Sequence, residues 1–274
     1  MNDTPASEAR RGAPLLSPLQ CQSNGEQPSA RAPILSSRSE LWQQNLFNRV
    51  DTWVFDLDNT LYPSECNLFA QVDQRMGAFV AKYLGVPEPY ARHLQKSYYR
   101  QFGTTLSGLM RIHKMEAKPF LDYVHDIDLS VVPPSPRLRA AIQALPGRKL
   151  IFTNGTTAHA ERVAERIGIL DLFDGICDIV ACDYQPKPGA EAFATFVKRH
   201  AVTSTNAAMF EDMPQNLEIP HALGMTTVLI RSSYIDHPSQ AEARVWTTPP
   251  PHIHHQSDDL TRFLEALPPS RPSP

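Results

Sequence analysis

Residues 52–64 read TWVFDLDNTLYPS, and the change of character within this stretch decides the fold. Thr52 to Phe55 are β-branched and aromatic, the composition of a short buried strand. They run without a break into Asp56, Asp58 and turn residues. Downstream, Leu68, Phe69, Val72, Met76, Phe79, Val80 and Tyr83 recur at three- and four-residue intervals, the stripe of an amphipathic helix. Gly85 and Pro87 stop that helix. Further helical segments are predicted near 89–101, 104–115 and 117–125, with no convincing strand among them, until Pro133-Pro134-Ser135-Pro136 breaks the chain.

Beyond residue 136 the pattern alternates. A helix carrying Leu138, Ala141, Ile142 and Leu145 precedes the predicted strand 149–153, and a helix over 157–167 ends at Gly168. A strand over 175–183 follows, then a helix with Phe193, Phe196, Val197 and His200 on one face. The strand 207–211, a short helix through 215–223 and the strand 225–230 come next, with 252–256 as a last strand before a closing helix. Such alternation predicts an α/β fold, a doubly wound parallel sheet with helices on both faces. The expected organisation is an α/β core of residues 41–63 and 147–266, interrupted by an inserted helical cap domain of residues 64–146.

Composition bounds the function. Apolar residues at 42% and charged residues at 20% can build a core, and a net charge of −3 gives no electrostatic reason to expect nucleic acid. No apolar run reaches the roughly 18 residues that span a membrane. Cys21, Cys66, Cys177 and Cys182 form no CxxC motif and do not argue for an oxidising compartment. The expected location is cytoplasmic. Residues 1–40 are expected to be a disordered extension, because their Ser, Pro, Arg, Gln and Ala bury too little surface to offset ordering entropy. Asp3, Glu8 and Glu26 count against a transit peptide, and residues 267–274 are expected to be a disordered tail.

Ligands of an open parallel sheet bind beyond the carboxyl ends of its strands. The first strand ends in Asp56 and Asp58, the second in Thr153-Asn154-Gly155; Lys187 follows the third, and Glu211-Asp212 ends the fourth. Carboxylates from separate strands, with backbone oxygen, make a hard oxygen cage suited to Mg²⁺. A hydroxyl, backbone N–H groups at a helix start and a lysine make a phosphate cradle.

The set DLDNT, TNG, KP and EDMPQN, in this order and spread over residues 50–231, resembles the four motifs of the haloacid dehalogenase superfamily. The resemblance implies a Rossmann-like hydrolase core, with Asp56 as nucleophile and Asp58 as the acid and base. It implies that Thr153 and the Asn154 N–H bind phosphate and that Lys187 neutralises charge. Asp56, the Asp58 carbonyl and Asp212 would hold Mg²⁺, and Thr60, Gly155, Glu211 and Asn216 would support them. An acid at position 58 points to phosphoryl transfer rather than dehalogenation. Many relatives carry Asp-Asp or Gly-Asp where this chain has Glu211-Asp212, so Glu211 as a direct metal ligand stays an alternative.

A finer resemblance comes from DLDNTLYPS, SYYRQFGTTLSGLM at 97–110 and NLEIPHALGM at 216–225, which look like the pyrimidine 5′-nucleotidase branch. It implies a small-molecule substrate, a nucleoside monophosphate such as UMP or CMP. A phosphatase of sugar phosphates or other small metabolites is the enzyme alternative, and a catalytically idle binding or regulatory relative is the other. Tyr98, Tyr99, Phe102 and His113 could stack on a base or form helix-to-helix core. His159, just after the second motif, could approach phosphate or lie on a helix surface, the expected place, and the histidines at 252, 254 and 255 are expected at the protein surface rather than on a metal.

Overall fold

In the computed structural model β1 (Thr52–Phe55) occupies the middle of a six-stranded sheet, and the structure describes residues 46–232 and 238–267. The other strands are β2 (Arg148–Phe152), β3 (Gly175–Cys177), β4 (Ala207–Glu211), β5 (Thr226–Ile230) and β6 (His255–Ser257). Their order is β3-β2-β1-β4-β5-β6 and every pair is parallel. The chain winds outward from β1 to β3, then crosses back to build β4 to β6 on the other side. This doubly wound topology puts its switch point at β1 and β4. Phe55 pairs with both Ile151 and Phe210, and the Asp56 N–H donates to the Phe210 carbonyl at 2.9 Å. The register therefore sets Asp56 beside Glu211.

Alternation along these strands fills two layers, because successive side chains point to opposite faces. Trp53, Phe55, Ile151, Phe210 and Val228 share one cluster; Val54, Leu150, Phe152, Met209 and Leu229 share the other. The helices are α1 (Leu68–Leu84), α2 (Glu88–Phe102), α3 (Thr105–His113), α4 (Ala117–Val124), α5 (Pro136–Gln143) and α6 (Thr157–Ile167). They continue as α7 (Ala190–Arg199), α8 (Glu218–Ala222), α9 (Pro238–Val245) and α10 (Leu260–Glu265). Helices α5, α6 and α10 cover the first face and α7 the second.

Between β1 and β2, α1 to α4 build a cluster of their own from Val72, Val80, Tyr98, Leu109, Phe120 and Val124. Segment 64–146 thus divides in its packing, since Leu138, Ala141, Ile142 and Leu145 join the sheet's cluster. The strand expected over 175–183 stops at Cys177. Asp178 accepts from Thr157 N at 2.7 Å, Thr157 Oγ1 at 2.9 Å and Ala181 N at 2.7 Å, which turns the chain off the sheet. Helix α9 was not expected, for PSQAEARV carries almost no apolar stripe. No helix among the described residues is long and apolar enough to cross a membrane. Residues 1–40 and 268–274 lie outside the described residues.

Candidate active site

The carboxyl ends of β1, β2 and β4 and the loop after β3 open into one cavity of about 200 Å³. Asp56, Asp58, Thr153, Asn154, Gly155, Lys187, Glu211, Asp212 and Asn216 all line it. Thr60 does not; it is buried in the turn behind Asp56. That turn is made by Asn59 in the left-handed region (φ 61°), a conformation asparagine tolerates.

Lys187 is the hub. Its Nζ donates to Asp56 Oδ1 at 2.7 Å, Glu211 Oε1 at 2.8 Å and the Phe152 carbonyl at 2.8 Å. It is 2% exposed, which excludes a solvated loop lysine. Burial works against its charge, but Asp56 and Glu211 outweigh burial and hold the ammonium pKa above its ordinary value. Asn154 fixes the loop that carries it: Asn154 Oδ1 accepts from Lys187 N at 2.8 Å, and Asn154 Nδ2 donates to the Lys187 carbonyl at 3.2 Å. Thr153 Oγ1 accepts from Gly155 N at 2.9 Å, which leaves its hydroxyl proton to be donated elsewhere.

Glu211 is saturated. Oε1 accepts from Lys187 and Asn216, and Oε2 from the backbone N–H groups of Asp212 at 2.7 Å and Met213 at 3.0 Å. Four donors use the acceptor sites of a carboxylate. Glu211 is therefore framework, and the alternative of Glu211 as a metal ligand loses its lone pairs. Asp212 differs: Oδ2 accepts from Gln240 at 2.7 Å, and Oδ1 takes no hydrogen bond among the described residues. Asp56 Oδ2 is equally without a donor among them.

Carboxylate oxygens of Asp56, Glu211 and Asp212 lie within 4.8 Å of one another, and among the described residues Lys187 is the one cation paired with them. Burial and Glu211 raise Asp56 to about 7 despite Lys187, and burial, Glu211 and Asp56 push Asp212 well above the carboxylate range. Such a buried excess of negative charge, with one undonated oxygen on each of two carboxylates, fits a hard divalent cation. On Asp58, burial acts upward, but His159 and Tyr62 outweigh it and lower the pKa.

Residues 50–224 match the family described as haloacid dehalogenase-like hydrolase. The chain belongs to that family. It is 30% identical over 196 residues to Phosphate metabolism protein 8 of Saccharomyces cerevisiae, a match covering 64% of this chain and 60% of the yeast protein. The chain thus aligns with less than two thirds of that relative. Among solved structures, a HAD phosphatase from Thermococcus onnurineus matches 81% of this chain and the whole of its own, at a TM-score of 0.55 and 17% identity. The HAD-hydrolase YfnB from Bacillus subtilis, solved bound to magnesium, matches 80% of this chain and 99% of its own, at a TM-score of 0.52 and 13% identity. At those identities the likeness is one of fold.

Gln240, Tyr62 and His125 of this haloacid dehalogenase-like site escape sequence reasoning, and His159 is only partly anticipated by it. Gln240 lies on the unexpected helix α9, where Pro238 and the helix formers after it were the available signal. Tyr62, four residues after Asp58, donates to Asp58 Oδ1 at 2.7 Å. His159, expected on a helix surface, is 1% exposed and lies 3.0 Å from the same oxygen. His125 stacks on His159. Of the aromatic set in α2 and α3, Tyr99 lines the cavity, and burial with Asp212 and Glu211 raises its pKa; Tyr98 instead bonds His113 at 2.7 Å. The C-terminal histidines are separately engaged: His254 Nδ1 accepts from Thr227 N at 3.0 Å, and His255 packs on Phe47.

Proposed function

We propose that this chain is a magnesium-dependent phosphomonoester hydrolase acting on nucleoside 5′-monophosphates, with pyrimidine nucleotides such as UMP and CMP preferred. The observation that carries the reaction is the convergence of Asp56, Asp58, Lys187 and Asp212 on one cavity, with Lys187 already bonded to the nucleophile. Asp56, the Asp58 carbonyl and Asp212 would hold Mg²⁺. Bound there, it would keep Asp56 ionised and offset charge on the phosphoryl oxygens.

The chain's own groups supply the rest. An Asp56 oxygen attacks phosphorus; the O–P bond forms as the bond to the leaving oxygen breaks, and that oxygen keeps the electron pair and takes the Asp58 proton. Water then attacks phosphorus, Asp58 accepts its proton, and the Asp56 O–P bond breaks to release phosphate. The lowered Asp58 pKa suits the second step; an arriving phosphate dianion opposes that charge and favours the protonated form needed first. Thr153 Oγ1, backbone N–H groups near Asn154 and Lys187 Nζ would bind non-bridging oxygens.

The substrate reading rests on the remainder of the cavity. Its far wall, from α1 to α4, is mostly apolar, with Phe69, Met76, Leu106 and Phe120 beside the polar groups of Asp73, Gln95 and Thr105. A planar base has apolar faces and a polar edge, which suits such a wall, whereas a sugar phosphate would leave hydroxyls facing hydrocarbon. The apolar share also favours a second reading, a phosphomonoester with a compact apolar leaving group. Phosphate release from UMP, CMP, AMP, sugar phosphates and p-nitrophenyl phosphate, with Mg²⁺ or EDTA and Asp56→Asn as control, tests both levels. No Mg²⁺-dependent release on any substrate sinks the reaction; release from sugar phosphates without nucleotides sinks only the substrate.

A further inference from the structure

Two imidazoles stand beside Asp58, and the chemistry above uses neither. His159, in the first turn of α6, has no side-chain exposure, and its Nε2 lies 3.0 Å from Asp58 Oδ1. Tyr62 donates to that same oxygen at 2.7 Å. Asp58 Oδ2 takes no hydrogen bond among the described residues. His125, one residue beyond α4, stacks on His159 with ring centroids 4.4 Å apart and planes 15° apart. Gly155 makes room for the pair: a Cβ there would stand 3.2 Å from His159 Cδ2 and 3.6 Å from His125 Nε2. Thr156 ties both ends, accepting from His159 N at 3.2 Å and lying 3.4 Å from His125 Nδ1.

His159 Nδ1 is buried with no hydrogen-bond partner among the described residues. A ring that served packing alone would do better as Phe, which has no polar atom to strand. Among the described residues, the one polar contact of the His159 ring is Asp58. With Nδ1 unpartnered, the tautomer that uses the contact has its proton on Nε2, donating to Oδ1. Two donors on Oδ1 leave Oδ2 as the oxygen able to carry the transferable proton.

We propose that His159 is a positioning residue for the acid. With Tyr62 it holds the Asp58 carboxyl by Oδ1 so that Oδ2 exchanges the proton with the leaving oxygen, and His125 of the helical insert fixes the plane of the His159 ring. The proposal rests on the reading of Asp58 as acid and base. Its consequence is selective. An alkoxide leaving group needs that proton, whereas p-nitrophenolate departs without it. Loss of His159 should slow the first and spare the second.

The test uses the full chain with Mg²⁺, measuring phosphoryl transfer by rapid quench with UMP and as the p-nitrophenolate burst with p-nitrophenyl phosphate. His159→Phe should slow transfer from UMP roughly 100-fold, the typical contribution of general acid catalysis, with KM within about threefold. The p-nitrophenolate burst should slow less than about fivefold on the same grounds. His159→Gln, which keeps an N–H donor, should restore about a tenth or more of the lost UMP rate. Tyr62→Phe removes the other donor and should bias the two substrates in the same sense, which keeps the test alive where His159→Phe fails to fold. Equal losses on both substrates, or none, overturn the proposal. Asp58→Asn separates the two levels: if it too leaves the UMP-to-aryl ratio unchanged, the reading of Asp58 is what has failed.

Discussion

Glu211→Gln changes one atom in size and little in shape, yet the hydrogen bonds around Glu211 make it severe. The carboxylate receives four donors, two on each oxygen: Lys187 and Asn216 on Oε1, Asp212 N and Met213 N on Oε2. An amide offers one acceptor oxygen and one donor NH₂. Whichever way it turns, two donors meet an N–H. A buried donor left without an acceptor costs about 1–3 kcal/mol, so two cost roughly 2–6 kcal/mol. Charge acts in both directions. Loss of Glu211 relieves repulsion with Asp56 and Asp212 and removes its attraction to Lys187 at 2.8 Å. These terms oppose each other, and the stranded donors decide the sign. Urea denaturation followed by circular dichroism, in EDTA, should show stability lower by about 4 kcal/mol, the middle of that range. A loss below about 1 kcal/mol would refute the argument, because one stranded donor alone should cost that much.

Asp212→Asn should do the reverse in EDTA, raising stability, since burial, Glu211 and Asp56 all oppose the charge there. Thermal scans should also show it losing the Mg²⁺-induced stabilisation, which for the native chain should be about 2.7 kcal/mol at a hundredfold excess over Kd; an undiminished Mg²⁺ response would remove Asp212 from the proposed metal site. Burial, then His159, lowers His125 to about 4, against 6.5 in an unfolded chain. The unfolded chain binds the extra proton between those values, so this stability is fully present above pH 6.5 and is lost as pH falls through about 4. It amounts to on the order of 3 kcal/mol, and His125→Phe should flatten that part of the stability–pH curve; an unchanged slope counts against it. Gly108→Ala should loosen α2 against α3, because its Cβ would fall inside van der Waals distance of Tyr98 Cβ and Cγ, which cannot swing away. A loss of roughly 1–3 kcal/mol in denaturant melts is expected, and a neutral result would show that the helices can part without cost.

Much of this protein is legible in one dimension because the signals are local. The apolar stripe from Leu68 to Tyr83 and the stop at Gly85 predict α1 closely, and strand–helix alternation predicts a parallel sheet whose ends gather Asp56, Thr153, Lys187 and Asp212. What misled the sequence reading was local too. Asp178 looks like a strand residue until its carboxylate is seen holding Thr157 and Ala181, and PSQAEARV looks like loop because α9 is mostly polar.

The sequence alone determined which chemical groups stand at the strand ends, since period and punctuation depend on neighbours a few residues away. Only the tertiary structure decided how those groups divide the work. Glu211 and Asp212 are adjacent carboxylates, yet one is spent on four donors and the other keeps an undonated oxygen, and Asn216 and Gln240 make that difference. His159 and Asp58 lie 101 residues apart and meet at 3.0 Å. Hydrogen-bond saturation and desolvation belong to the folded environment, so no pattern of spacing announces them.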